Sequence, residues 1–286
     1  MLKVGLSVGQ QAFDEVQLSE MRKSNISAIE LGYAQYTSYN NCDFKKMKEY
    51  TDRCGIDVWS LHLPFFPFEE IDPASLDAEK RKFTFDIFSE LIKRGTDVGI
   101  DKFVAHASTE PNIADERPEK LLVCADFFNE LAEVAYKYGG TIAIEDLPRT
   151  CIGNCSDEIS YLLNANDKLR VCFDSNHLLG EKNVDFIKKV GSKIITVHIS
   201  DYDFLNERHW MPGEGDVDWQ ETYNALIESG YNGVWLYELP LKPKKTITRR
   251  DLTYTDIYNN ACEIMSDKKP TPIGQRVEGL VAWNKK

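Results

Sequence analysis

Along the chain, short apolar runs alternate with longer stretches in which apolar residues recur every three or four positions, and the alternation repeats eight times. The short runs predict strands at residues 2–8, 27–32, 56–64, 100–108, 141–146, 169–174, 193–201 and 233–240. The longer stretches predict helices at residues 13–24, 43–55, 78–99, 117–140, 156–166, 184–191, 216–230 and 250–265, with Gly55 as a C-terminal stop, Pro118 near a start and Ser156 as an N-cap. Strands that alternate with helices imply a parallel sheet, and eight such units close it into a (β/α)8 TIM barrel, an α/β fold. An open doubly wound sheet is the competing arrangement. The turn after the first strand, SVGQQAF, lacks the GxGxxG phosphate fingerprint usual there.

Residues 64–76, PFFPFEEIDPASL, are too rich in proline and aromatic rings to be regular and are expected to form a loop over the barrel mouth. Beyond the eighth unit lies a tail with the cluster LVAW ending at Trp283. The expected organisation is one barrel domain, residues 1–267, with a C-terminal extension, 268–286. The extension either clasps its own barrel or packs on a neighbouring subunit, so homo-oligomerisation stays open.

The predicted strand ends carry the chemistry. In RVCFDSNH, residues 170–177, the strand stops at Asp174 and His177 follows three residues later. Three other late strands end similarly, at Glu145, His198 and Glu238. If each of these residues ends a barrel strand, all four project into the C-terminal mouth, where barrel active sites lie. Three carboxylates and one imidazole form an oxygen-rich set for one divalent ion, favouring Mn²⁺, Mg²⁺ or Co²⁺ over a closed structural zinc site, with Zn²⁺ as an alternative. His62 and His106 end strands three and four, and His209 lies in the loop after strand seven. With His177 and His198, all five histidines of the chain fall on the expected mouth, a polar lining suited to a hydroxylated substrate.

Composition adds limits. The chain has 286 residues, of which 42% are hydrophobic, and a formal net charge of −12, which argues against nucleic-acid or anionic-membrane partners. The seven cysteines are odd in number and scattered, as in a protein with reduced thiols, and Cys151 and Cys155 lack the second pair of a zinc ribbon. With no signal-like segment and no membrane-length apolar run, the cytoplasm is the expected compartment. One basic run, KPKKTITRR at 242–250, is expected to be a solvated loop face, with a hold on a substrate phosphate as the other reading.

The segments IED (144–146), FDSNH (173–177), VHISDYD (197–203), RHWMPGEGDVDW (208–219) and YELP (237–240) together resemble the xylose-isomerase-like superfamily of sugar phosphate isomerases and epimerases. The PGEG-x-x-x-W loop is the most particular of these. The resemblance implies that Glu145, Asp174, His198 and Glu238 bind metal and that His177 contacts substrate oxygens. It also implies that Glu145 and Glu238 act as the acid/base pair. The chain departs from the tagatose/psicose epimerase pattern at two positions, with Cys151 where a substrate-binding Glu stands and Phe204 where an Arg stands. Arg208 is the substitute expected to reach the substrate.

The implied reaction is proton abstraction α to a metal-polarised carbonyl of a sugar or polyol ketone, through an enediolate, giving isomerisation or epimerisation. Dehydration of an inosose-like ketone would use the same enolate. One rival is the apurinic endonuclease branch of the superfamily, a trinuclear zinc phosphodiesterase. Its ligand pattern is nearly traced by His62, His106, Glu145, Asp174, His177, His198, His209 and Glu238, with Glu207 where that branch has Asp. Another is a sugar-binding barrel without catalysis, against which the Glu pair stands.

Overall fold

In the computed structural model, which describes residues 1–283, the eight predicted strands form one parallel sheet in the order β7-β6-β5-β4-β3-β2-β1-β8. They are β1 (Lys3–Val8), β2 (Ala28–Gly32), β3 (Asp57–His62), β4 (Lys102–His106), β5 (Thr141–Glu145), β6 (Arg170–Asp174), β7 (Ile194–His198) and β8 (Val234–Tyr237). Neighbours follow chain order with no reversal, which rules out the doubly wound alternative. The ring closes between β7 and β8 at a bridge, where Ile199 donates to the Leu236 carbonyl at 2.8 Å and Glu238 donates to that of Ile199 at 3.2 Å. The fold is a single-domain TIM barrel.

The helices between the strands are α1 (Glu15–Lys23), α2 (Phe44–Cys54), α3 (Ala78–Thr96), α4 (Arg117–Tyr138), α5 (Ser156–Leu163), α6 (Asn183–Val190), α7 (Trp219–Glu228) and α8 (Tyr254–Met265). Capping sets several starts: Asp14, Asp43, Asp77 and Asp218 each accept backbone N–H groups of the first turn. Gly55 ends α2 in the left-handed region at φ 66°. Ser156 is not an N-cap. It is the first helical residue, and its N–H and hydroxyl both donate to Glu181 from the next loop. Helix α8 starts four residues later than its periodicity suggested, at a capping box of Thr253 and Asp256, and ahead of it Ile247–Thr248 (β9) pair with Gln275–Arg276 (β10) of the tail.

That pairing settles how the described tail runs: it clasps its own barrel. Arg276 holds Asp216 through two bonds, the Val281 carbonyl accepts from Arg208 at 3.1 Å, and the Trp283 N–H donates to Leu205 at 2.8 Å. Residues 284–286 of the expected extension lie outside the described residues. The basic run is not a solvated face throughout either. The side chain of Arg249 is buried, donating to the carbonyls of Pro240 and Leu241, and Arg250 pairs with Asp256.

Most of the apolar core lies between strands and helices, with smaller clusters (Ala28, Val234, Leu236, and Val104, Ala143, Cys172) apart from it. Among the described residues no helix is long and apolar enough to cross a membrane.

Candidate active site

The PGEG-x-x-x-W loop is organised by the carboxylate of Asp201. It accepts the N–H groups of Gly213 at 2.8 Å and Val217 at 3.2 Å and the indole N–H of Trp219 at 2.9 Å. A Cβ on Gly215 would stand 2.0 Å from Asp201 Oδ1, so only glycine lets the loop wrap this closely. The loop so anchored delivers Glu207 and His209 to the mouth.

Strands β5, β6, β7 and β8 bring together the four residues expected from their ends. Donor atoms of Glu145, Asp174, His198 and Glu238 all lie within 4.8 Å of one another. His198 Nδ1 is 3.0 Å from Glu145 Oε1, 3.7 Å from Glu238 Oε2 and 3.9 Å from Asp174 Oδ2. Asp174 Oδ1 accepts the Asn176 N–H at 2.7 Å, while Oδ2 is buried without a hydrogen-bond partner. An orphaned buried carboxylate oxygen aimed at other acceptors is what a cation-ligand set looks like. Burial, then the charges of Glu238 and Glu145, push the Asp174 carboxyl well up. The donor set therefore fits a divalent cation, whose charge would relieve that repulsion.

The two glutamates differ. Glu145 is fully buried, with Oε2 3.0 Å from His62 Nε2 and 3.2 Å from His106 Nε2. Burial would raise its pKa, but His198 and His106 hold it well below the carboxylate range. Glu238 is partly open to the pocket, and the imidazoles of His198 and His209 approach its Oε2 no closer than 3.7 Å. Burial opposes its ionisation too, and His198 leads the charges that bring its pKa below normal.

Neighbouring acceptors assign the histidine tautomers. His62 Nδ1–H donates to the Leu63 carbonyl, His177 Nδ1–H to that of Asp146 (both 2.8 Å), and His209 Nδ1–H to that of Glu238 at 3.1 Å. Each Nε2 then faces the mouth. Burial lowers the His62 pKa, yet the hydrogen bond and charge of Glu145 carry it to about 9. His106 stacks on Phe65 at 4.2 Å between ring centroids. Two further groups have metal-ligand spacing, His62 with Glu145 and His198, and His177 with Glu207 and His209. In the latter, His209 Nε2 is 2.6 Å from Glu207 Oε1.

A cavity of about 300 Å³ opens onto these groups, walled by Phe65, Phe68, Leu147 and Pro148. The loop of residues 64–76 thus contributes to the pocket as expected. Arg208 does not: its guanidinium is bound to Asp203 at 2.8 Å and to the tail, and it is absent from the lining. The arginine at the mouth is Arg149, a residue the sequence reading passed over. Arg149 bridges Glu110 and Glu207 at 2.5 and 2.7 Å and has φ 56°. Cys151, at the position of departure from the epimerase pattern, also lines the cavity. Glu30, in the middle of β2, belongs to the site although the strand-end pattern does not pick it out. Its carboxylate accepts His198 Nε2–H at 3.0 Å from across the barrel. A charge inside an apolar run was the one available signal.

Comparison with known proteins agrees with this architecture. The chain is 31% identical over 251 residues to an inosose isomerase of Bacillus velezensis, covering 74% of this chain and 88% of the relative. Among solved structures it is similar to a D-tagatose 3-epimerase-like protein (TM-score 0.74, 22% identity, 93% and 96% of the two chains covered). It is also similar to the IOLI protein with a bound zinc atom (TM-score 0.72, 21% identity, 93% and 97% covered). Residues 18–257 match the family model described as xylose isomerase-like TIM barrel, and the chain belongs to that family.

Proposed function

We propose that the protein is a metal-dependent isomerase or epimerase of a sugar or polyol ketone. The observation that carries this reading is the convergence of Glu145, Asp174, His198 and Glu238, the first and last of which line the cavity, with Asp174 Oδ2 buried and unpartnered. Similarity to an inosose isomerase supports it. A divalent cation held by these four residues would supply Lewis acidity to a substrate carbonyl and acidify the α-proton. Glu238 is the better placed proton acceptor, since its carboxylate is the freer and faces the pocket. Glu145, held by His62, His106 and His198, is the proton carrier on the buried side. His106, His177 and His209 line the cavity for substrate hydroxyls, His62 stays buried behind Glu145 and out of substrate reach, and Phe65 and Phe68 exclude water from one wall.

The test is solvent deuterium exchange in a panel of ketoses, inososes and their phosphates with Mn²⁺. Exchange at a single carbon identifies substrate and reaction together. No exchange in any member, with cation bound, rejects the reading.

A second reading is kept because one observation favours it: His177, Glu207 and His209 make another ligand-like group beside the first. A trinuclear zinc phosphodiesterase would use such a group. Against it, Arg149 at the rim is already neutralised by two carboxylates, and the net charge of −12 opposes a polyanionic substrate. Metal analysis separates them: about three zinc ions per chain favour the phosphodiesterase, about one manganese or magnesium the isomerase.

A further inference from the structure

We propose that Glu30 is a positioning residue that fixes the tautomer and ring plane of His198. His62, His177 and His209 each donate Nδ1–H to a backbone carbonyl, but His198 is held the other way round, by a buried carboxylate at Nε2. Glu30 is completely buried. It accepts three donors: the Ser7 hydroxyl at 3.1 Å, the Ser60 hydroxyl at 2.7 Å and His198 Nε2 at 3.0 Å. A carboxylate is an acceptor only, so the Nε2 of His198 carries a proton toward Glu30, while Nδ1 can donate to Glu145 at 3.0 Å only until a cation takes that nitrogen. Nδ1 is then the nitrogen left facing Glu145, Asp174 and Glu238.

The three strands involved make the arrangement rigid. Ser7 lies on β1, Glu30 on β2 and Ser60 on β3, adjacent strands of the ring, and His198 ends β7 on its far side. The two hydroxyls hold the carboxylate in place, and the carboxylate holds the imidazole. Rotating the ring of His198 by half a turn would exchange Nε2 with Cε1 and Nδ1 with Cδ2, taking the first nitrogen off Glu30 and the second off Glu145. Outer carboxylates of this kind raise the basicity of a ligating histidine and orient it. The consequence for cation affinity rests on the proposed function, in which His198 is a ligand; the tautomer itself does not.

Two measurements on the full chain test the assignment. With ¹⁵N-labelled histidine, long-range proton–nitrogen correlations are expected to show Nε2 of His198 protonated in both chelator-treated and Zn²⁺-loaded protein. Co²⁺ titration followed by visible absorption is expected to show affinity about 10- to 100-fold weaker in Glu30→Ala. Glu30→Gln, whose amide oxygen can still accept, should recover part of that loss, which a general packing defect would not explain. If Glu30→Ala fails to fold, Ser60→Ala removes one anchor of the carboxylate and should give a smaller loss. An unprotonated Nε2 of His198 in the wild type overturns the proposal, as does unchanged Co²⁺ affinity in every variant that folds. A wild type that binds no Co²⁺ overturns the proposed function instead, and the tautomer spectrum still decides the role of Glu30.

Discussion

Asn176 ties His209 to the end of β6: its side-chain oxygen accepts the backbone N–H of His209 at 3.1 Å and that of Arg208 at 2.8 Å. The N–H of Asn176 itself donates to Asp174. One residue thus orients a carboxylate of the four-residue cluster and pins the loop that carries an imidazole. The pinning matters because His209 has φ 54°, a backbone conformation that needs support in a residue with a side chain. Asn176→Ala leaves two N–H donors without partners. The expected cost is about 2 kcal/mol or more, read from the urea midpoint, with faster amide exchange at residues 208 and 209.

Glu238→Gln should reduce substrate deuterium exchange by roughly 10²- to 10⁴-fold, the usual contribution of a positioned proton carrier. Glu145→Gln should do at least as much damage, because Glu145 also organises three imidazoles. Near wild-type exchange in both variants would remove the acid/base assignment.

Gly215→Ala forces a methyl group against Asp201 Oδ1 and, at 2.4 Å, the Tyr202 carbonyl. Neither neighbour is a free side-chain end, so the loop must shift. A loss of about 1–3 kcal/mol is expected from this overpacking, measured by calorimetry, accompanied by weakened substrate binding as His209 is displaced.

At the start of α8, Asp256 completes a capping box with Thr253 and pairs with Arg250. Arg250 first, then the Thr253 bonds, hold the Asp256 carboxyl below its ordinary value. A depressed folded-state pKa means stability that is present above the unfolded value near pH ~4 and lost as the pH falls through the folded one. Asp256→Ala should therefore cost about 1 kcal/mol at neutral pH. The difference from wild type should shrink progressively in denaturation curves below pH ~4. A gap that stays constant with falling pH would show that the carboxylate charge is not what stabilises the cap.

The order of strands and helices was legible because burial imposes local periodicity: two residues per repeat on a strand, about 3.6 on a helix. Strand ends were legible for a related reason. A carboxylate such as Asp174 at the end of RVCF interrupts an apolar run, and in a barrel that interruption marks the mouth. The four-residue cluster followed from this logic, since one rule applied to four strands placed Glu145, Asp174, His198 and Glu238 together.

What the sequence by itself determined was the fold, the side of the barrel that carries the chemistry, and the residues able to meet there. Only the tertiary structure decided which polar groups pair with one another. Arg208 and Arg149 are equally plausible on paper, yet Asp203 and the tail take the first, while Glu110 and Glu207 draw the second to the mouth. Glu30 and His198 are separated by 168 positions and meet because a closed ring sets β2 across from β7. Periodicity is a property of neighbours along the chain, whereas a hydrogen bond across a barrel depends on closure, which no local window contains.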